Sequence, residues 1–427
     1  MKKKILLITF RFPPEQNPRA FRWGSIVKAL SNAGYEIDVL MPRHKDIVRR
    51  SQMGNVRYYE TKRYLLYDFA YKYILRGSSE NINQKVKGHV LNLKKIIKNI
   101  FSFLAKKLIW PDLTGLWFFP AQKKLKELFQ NNKYDCIISS SVPFVVHLVG
   151  YYAKRRLKDV SWIGEYGDPF SFNAESPQNI FNFLNKLVEK KITKKMDYIV
   201  VPVEKSKIGF LKQFPLLEEN KIKVIPQLLD YVPVNPDNID WSLFDGELIN
   251  IVYTGTLYPD IRNPKILLES LLRLKTTDIN GYKRLRFHFF GEYENVGKIF
   301  REHKELLNDK TLILYGQVLR EVCSFACQKA DFLLNISNFS DYQTPSKLIE
   351  YLSYKKPIIS LENKKSTELN WSFLIKVDYK IDVVVNFLKR LSGGAVNVSF
   401  RDYNNIVKKY NISKITEQYI NLIYPKV

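Results

Sequence analysis

Cysteine and histidine are scarce in this 427-residue chain, and the few present are not arranged to build a site. Three cysteines, Cys136, Cys323 and Cys327, are too few and odd in number for a disulfide framework. Cys323 and Cys327 lie four apart in a helical pattern, where two small apolar side chains share a face. The five histidines (His44, His89, His147, His288, His303) lack ligand spacing, so no structural zinc site is expected. No run of about 18 uncharged apolar residues occurs, and with it no spanning helix is expected. Met1-Lys2-Lys3-Lys4 has the charge of a signal peptide's start. The apolar stretch that follows, Ile5-Leu6-Leu7-Ile8-Thr9-Phe10, is too short for a signal core, and Arg11 and Pro13-Pro14 follow it without a cleavage site. It reads as a buried first strand of a cytoplasmic protein. Low-complexity segments and residue-level repeats are also missing.

Acidic residues are in deficit, and unevenly so. The net charge is +26. Residues 1–230 hold 41 Lys and Arg against 20 Asp and Glu, a net of +21, and the remainder holds 27 against 22, a net of +5. Something anionic is expected to face the first half: a lipid surface, a phosphate-bearing acceptor or nucleic acid. Hydrophobic residues make up 45%, enough for a buried core, and the length implies two domains.

Short apolar runs alternate with helical patterns. Strands are expected at 4–10, 36–41, 135–139, 160–164, 198–201 and 222–225, with a helix at 20–33 ending at Gly34. Pro226, Pro233 and Pro236 punctuate a stretch with little helical pattern. A second series follows, with strands at 249–254, 286–290, 312–315, 332–336 and 357–360. Alternation of this kind implies parallel, doubly wound sheets. The expected division is a first domain over 1–228, a linker over 229–246 and a second domain over 247–427, whose last helix packs back on the first domain.

An insertion at about 60–118 breaks the alternation. Residues 72–107 hold nine Lys and Arg and one acid, Glu80. Leu93, Ile96, Ile97, Ile100, Leu104 and Leu108 recur at helical spacing among Lys94, Lys95, Lys98, Lys106 and Lys107. Phe101, Phe103, Trp110, Trp117, Phe118 and Phe119 add an aromatic fringe. A basic amphipathic helix of this kind lies in a membrane interface, and an anionic membrane surface is the expected partner. The alternative is a solvated face whose stripe packs on the domain.

The sharpest pattern is Tyr342-Gln343-Thr344-Pro345-Ser346-Lys347-Leu348-Ile349-Glu350-Tyr351-Leu352. Thr344 suits an N-cap and Pro345 the first helical position. The helix would start just beyond the carboxyl end of a strand, where ligands of open α/β sheets bind. Ser346, Lys347 and Glu350 project on one side. The helix start favours a diphosphate, and a carboxylate one turn on can accept both hydroxyls of a ribose.

That segment, with Lys355-Lys356-Pro357-Ile358-Ile359, resembles the nucleotide-sugar site of GT-B glycosyltransferases, and among them family 4 of the retaining enzymes. Matches continue along the chain. Tyr253-Thr254-Gly255-Thr256-Leu257-Tyr258 followed by Arg262-Asn263-Pro264 resembles the family's strand–glycine–cation segment. Phe289-Phe290-Gly291-Glu292 resembles its next strand and glycine turn. Tyr315-Gly316-Gln317-Val318 resembles the segment whose backbone reads the base, and Ala330-Asp331-Phe332-Leu333-Leu334 the strand into the donor loop. The resemblance implies two Rossmann-like doubly wound domains facing a central cleft, with the donor bound by Gly255, Thr256, Arg262, Gly291, Gln317, Val318, Gln343, Ser346, Lys347 and Glu350. Two departures stand out. Tyr342 occupies the position, eight before Glu350, where the family often has a second glutamate, so its role toward the transferred sugar falls to backbone groups or Gln343. Thr256 stands where many relatives have arginine, leaving Arg262 and Lys347 for the diphosphate.

On the acceptor side, Phe10-Arg11-Phe12-Pro13-Pro14-Glu15-Gln16-Asn17-Pro18-Arg19-Ala20-Phe21-Arg22 resembles a loop used near the acceptor and donor phosphate, with Asn17 and Pro18 where relatives have glycines. Arg19 and Arg22 are the candidate anion contacts. Gly164-Glu165-Tyr166-Gly167-Asp168-Pro169-Phe170 resembles an Asp-Pro-aromatic turn of surface-polysaccharide enzymes, as do Trp110-Pro111-Asp112 and residues 135–143. Asp168 could orient or deprotonate an acceptor hydroxyl.

The resemblance thus implies transfer of a hexose from a UDP- or GDP-sugar to a glycan or lipid-linked acceptor, with retention, assisted by Asp168, Arg262 and Lys347. The nucleotide sugar is a co-substrate, and no cofactor is implied. No Asp-x-Asp signature lies in a suitable loop, so no metal is implied either. The expected place is the inner face of a bacterial membrane. Three alternatives stand beside it: a sugar-nucleotide epimerase of the same fold, a non-catalytic basic binding protein, and a catalytically silent transferase-like scaffold, to which Tyr342 and Thr256 point. Nucleic acid is not expected as a partner, because the basic residues cluster beside apolar stripes and no nucleic-acid module is recognised.

Overall fold

The computed structural model describes residues 3–15, 17–43, 52–62, 109–111, 113–172, 180–229, 244, 246–259, 262–337, 346–362 and 369–424. The chain divides into two compact units, one formed by Met1–Pro226 with Thr416–Val427 and the other by Gln227–Ile415. The basic helical stretch at 93–108, Asp112, Gln343, Thr344 and Pro345 lie outside the described residues, as does most of the proline-punctuated stretch after Pro226.

The first unit holds an eight-stranded sheet. Its strands are β1 (Lys4–Thr9), β2 (Glu36–Pro42), β3 (Gln52–Met53), β4 (Val56–Thr61), β5 (Cys136–Ser140), β6 (Ser161–Glu165), β7 (Tyr198–Val201) and β8 (Ile222–Val224), in the spatial order β3-β4-β2-β1-β5-β6-β7-β8. All pairs are parallel except β3 with β4. β1 is central, and Ile5, Leu6, Leu7 and Ile8 are each at most 1% exposed, because helices cover both faces of a parallel sheet. The helices are α1 (Pro18–Asn32), α2 (Phe118–Asn131), α3 (Val145–Arg156), α4 (Asn182–Thr193) and α5 (Glu204–Gln213). From β5 to β8 the strand order advances in one direction. Right-handed crossovers therefore lay α3, α4 and α5 side by side on one face.

The second unit is built on β9 (Ile249–Thr254), β10 (Leu285–Phe290), β11 (Leu312–Gly316), β12 (Phe332–Ile336), β13 (Ile358–Glu362) and β14 (Leu374–Asp378), all parallel, in the order β11-β10-β9-β12-β13-β14. Its helices are α6 (Lys265–Thr277), α7 (Ile279–Lys283), α8 (Gly297–Glu302), α9 (Lys304–Asn308), α10 (Arg320–Lys329), α11 (Ser346–Tyr351), α12 (Ile381–Ser392) and α13 (Tyr403–Tyr410). A last helix, α14 (Ile412–Ile423), runs from this unit into the residues that belong to the first.

Three features differ from the sequence reading. β4 pairs along its whole length with β2, so the sheet reaches into the stretch assigned to the insertion. β14 was not anticipated; as the outermost strand of its sheet it buries Leu374 and Val377 and leaves Lys376 and Asp378 exposed. Trp117, placed in the aromatic fringe of the insertion, belongs to the core: it is 4% exposed, meets Phe10 edge to face and donates its indole N–H to Thr61 Oγ1 at 2.7 Å. Trp110 is half-buried and donates to Asn185 Oδ1 at 2.7 Å.

A buried carboxylate closes the first unit. Glu165, at the end of β6, accepts from Arg22 Nε at 2.6 Å, Trp23 Nε1 at 2.6 Å, Ser140 Oγ at 2.6 Å and the Tyr419 hydroxyl at 3.0 Å. The rest of the Arg22 guanidinium donates to the Pro226 carbonyl at 2.7 Å and to Tyr419. Arg22, read as a candidate anion contact, is therefore 3% exposed and committed to Glu165; the sequence could not show that its charge is spent inside the unit. Burial pushes the Glu165 carboxyl up, but Arg22, Arg19 and the Ser140 hydroxyl outweigh it and bring it down to about 2. A depressed carboxyl contributes stability that is fully present above its ordinary value of 4.5 and is lost as pH falls toward about 2. Glu165→Gln leaves the Arg22 charge buried without its counter-ion and should cost about 3–5 kcal/mol. Guanidinium unfolding should show the first unit's transition shifted to lower denaturant, with less loss than wild type between those two pH values.

Candidate functional site

In the second unit, the site is assembled at the carboxyl ends of β9, β10 and β11. Gly255 follows β9 with φ +117 and Gly291 follows β10 with φ +129, conformations a side chain rarely adopts. A Cβ on Gly291 would lie 2.5 Å from the Gly255 carbonyl oxygen, and one on Gly255 would lie 2.2 Å from Lys347 Nζ. Both glycines clear the space over the strand ends.

Lys347 reaches into that space from α11. Its ammonium sits over the Tyr253 ring, 4.1 Å from the centroid, is buried, and has no hydrogen-bond partner among the described residues. Burial pushes its pKa well below the usual lysine range, the nearby Arg262 charge pushes the same way, and Glu350, Cys323 and Cys327 oppose them. A buried ammonium without an acceptor costs free energy, so its persistence points to a ligand that brings one.

The neighbouring loop is firmly held. The Leu257 amide donates to the Glu292 carbonyl at 2.9 Å, the Tyr253 hydroxyl to the Thr256 carbonyl at 3.2 Å, and the Tyr379 hydroxyl to the Asn263 carbonyl at 2.6 Å. Arg262 lies on this loop, half-buried, its Nη1 3.5 Å from the Thr256 carbonyl oxygen. Tyr351 fixes the helix that carries Lys347. Its buried hydroxyl donates to the Leu334 carbonyl at 3.1 Å and accepts from the Thr254 amide at 3.1 Å, tying α11 to the end of β9 and the middle of β12.

Glu350 is half-buried on α11 and receives Arg320 Nε at 3.5 Å. Arg320 opens α10 just after Gln317, which is exposed, and Val318, which is half-buried. The backbone of Ser346 opens α11. α11 has only six residues and gives way to a 3-10 turn at Leu352–Tyr354, so its dipole is short and the fixed positive charge comes from Lys347 and Arg262. Sequence reasoning missed Arg320, Tyr253, Tyr351 and Tyr379. Only Arg320 carried a signal, a cation directly after the segment assigned to the base.

The first unit presents its candidates at the carboxyl end of β6. Asn17 caps α1, its Oδ1 accepting from the Arg19 amide at 2.9 Å. The Arg19 side chain then runs across Gly167, where a Cβ would fall 1.2 Å from Arg19 Nη2, and its Nη1 lies 3.4 Å from Glu165 Oε2. Asp168, half-buried, comes next, and the loop beyond it is pinned by Glu189. That carboxylate is buried in α4 and accepts from the Phe170 and Ser171 amides at 3.3 and 2.9 Å. Burial pushes Glu189 up to about 7 against those hydrogen bonds. Ser139 and His147 also meet here, Oγ to Nδ1 at 2.8 Å. Both are fully buried, Trp162 donates to the same hydroxyl, and burial lowers His147 to about 3, so the pair is part of the core.

No family model matches the chain, and no curated protein matches it in sequence. Solved structures do match it over nearly its whole length. Sucrose-phosphate synthase from Thermosynechococcus elongatus is similar with a TM-score of 0.63 at 12% identity, covering 99% of this chain and 98% of that one. The E. coli trehalose-6-phosphate structure bound with UDP-2-fluoro glucose is similar at 0.65 and 12% identity, with 100% of both chains covered. A UDP-N-acetylglucosamine 2-epimerase is similar at 0.51 and 14% identity, over 99% and 95%. These likenesses show the fold, which is GT-B.

Lys347→Met keeps the side chain's length and removes the unpartnered charge, so the ligand-free second unit should be more stable by about 1–3 kcal/mol. A lysine lowered on folding binds more protons in the unfolded chain, so stability rises with pH up to the ordinary value of 10.5. The advantage of Lys347→Met should therefore shrink as pH approaches that value, in thermal melts recorded across pH.

Proposed function

We propose that the protein is a glycosyltransferase that moves a sugar from a nucleoside-diphosphate sugar to an acceptor hydroxyl. The observation that carries this reading is the buried Lys347 ammonium without an acceptor, set against the bare Gly255 backbone and beside Arg262. A diphosphate supplies the oxygens this arrangement lacks. The E. coli structure of the same fold is bound with a UDP-sugar.

In the reaction, the bond between the anomeric carbon and the diphosphate breaks and its electron pair stays on the diphosphate oxygen. The acceptor oxygen bonds the anomeric carbon and gives up its proton. Lys347 and Arg262 stabilise the charge that develops on the leaving group. Glu350 accepts the ribose hydroxyls, and Gln317 and Val318 lie where the base would be read. Ser346 and Gln343 belong to the same donor set. Asp168 orients or deprotonates the acceptor, with Arg19 beside it. We take the transfer to proceed with retention, from a UDP- or GDP-hexose. We also take it to need no metal, with Lys347 and Arg262 meeting the diphosphate in place of a divalent ion. The acceptor is a glycan or lipid-linked glycan met at an anionic membrane surface, with the basic stretch at about 60–118 helping to hold the enzyme there.

Glu350→Ala should weaken nucleoside-diphosphate binding by about 10- to 150-fold, the loss of charged hydrogen bonds worth roughly 1.5–3 kcal/mol, measured by calorimetric titration. Unchanged affinity in the folded variant would remove the donor site from this edge.

Asp168→Asn should leave nucleotide affinity intact and lower turnover. Chromatography of the products from a panel of nucleotide sugars and acceptors reads that turnover. It also separates transfer from epimerisation, which would return an altered nucleotide sugar with no acceptor consumed.

A further inference from the structure

We propose that the outward face of α4 is a docking surface for an anionic lipid bilayer. The helix is apolar on both faces: Ile192 and Val188 pack into the core, and a second apolar pair faces outward. Its inner face buries Asn185 and Glu189, while Phe183 and Leu187 point outward, 66% and 62% exposed, and Ile180, one turn before, is 55% exposed. At about 100° per residue, Phe183, Leu187, Lys190 and Lys194 fall on one stripe, with Ile180, Lys186 and Lys191 within a quarter turn of it. All of these are exposed. The one acid of the helix, Glu189, is buried on the opposite side.

The polar side chains of the inner face have work there. Asn185 accepts the Trp110 indole, and Glu189 holds the loop after Asp168. Nothing comparable engages the apolar outer residues among the described side chains. An apolar strip whose cationic residues continue along the same helix matches the boundary between acyl chains and anionic headgroups. The charges also select among occupants. A second copy would bring lysines against lysines, whereas an anionic leaflet attracts each of them. Membrane docking through α4 does not depend on the donor site, whose residues belong to the other unit. It carries a consequence for the site, because the helix that would touch lipid is the one whose Glu189 fixes the segment next to Asp168.

The test is flotation of the full chain with vesicles of phosphatidylcholine alone and of phosphatidylcholine mixed equally with phosphatidylglycerol. Wild type should float with the mixed vesicles and lose binding as salt is raised. Phe183→Ser and Leu187→Ser should each weaken that binding by roughly tenfold or more, while Ile279→Ser, an exposed apolar residue on α7, should not. Because both positions are exposed, the fold should persist, checked by circular dichroism. A folded Phe183→Ser, Leu187→Ser double variant that floats like wild type would overturn the proposal. So would a mobility shift of a short RNA lost in Lys190→Gln, Lys191→Gln without vesicle binding, or concentration-dependent dimerisation abolished by Phe183→Ser without it.

Discussion

Everything at the carboxyl edge of the first unit hangs on how one buried carboxylate is satisfied. Glu165 has no access to water, so each lone pair must find a donor inside the protein. Those donors come from α1, from the end of β5 and from α14. Meeting that requirement sets α1 against β6 and takes up Arg22 entirely. It also draws Arg19 across Gly167, immediately before Asp168. The same logic repeats one helix away, where Glu189 is satisfied by the amides that follow Asp168. Two internal carboxylates thus bracket the one that remains at the edge.

The second unit handles charge in the opposite way. The Lys347 ammonium is buried without a hydrogen-bond partner among the described residues, and the Arg262 charge beside it adds to the imbalance. Tyr351 and Tyr379 hold the surrounding backbone through the Leu334 and Asn263 carbonyls. In the first unit polar groups are buried to be closed off. In the second a polar group is buried and left open, which is costly for stability and is what a binding site for a multiply charged anion demands.

Most of the fold was legible because parallel strands buried on both faces read as apolar runs. Residues 249–254 and 332–336 were placed to the residue. β14 was not legible, because an edge strand with Lys376 and Asp378 outward looks like a loop. β4 was hidden by Arg57, Tyr58, Tyr59 and Glu60, whose polarity reads as the start of the basic stretch. Within the site, Gly255, Lys347 and Glu350 were visible as a spacing, and the structure brings Lys347 onto Gly255. The partnership of Arg22 with Glu165 was not visible, since it spans 143 residues and no local pattern encodes it. Arg320 was passed over because a lone arginine at a helix start has many uses, and only its approach to Glu350 singles it out.

The position of Tyr419 has a bearing on how the protein is made. Its hydroxyl completes the Glu165 cluster, yet it lies beyond the whole of Gln227–Ile415 in the chain. A ribosome adding roughly 5–20 residues per second takes about 10–40 s to traverse that segment. Throughout that interval the Tyr419 hydroxyl is not yet there to donate to Glu165. The half that is synthesised first is therefore the half that finishes last, and its final packing waits on the C-terminal helix leaving the exit tunnel.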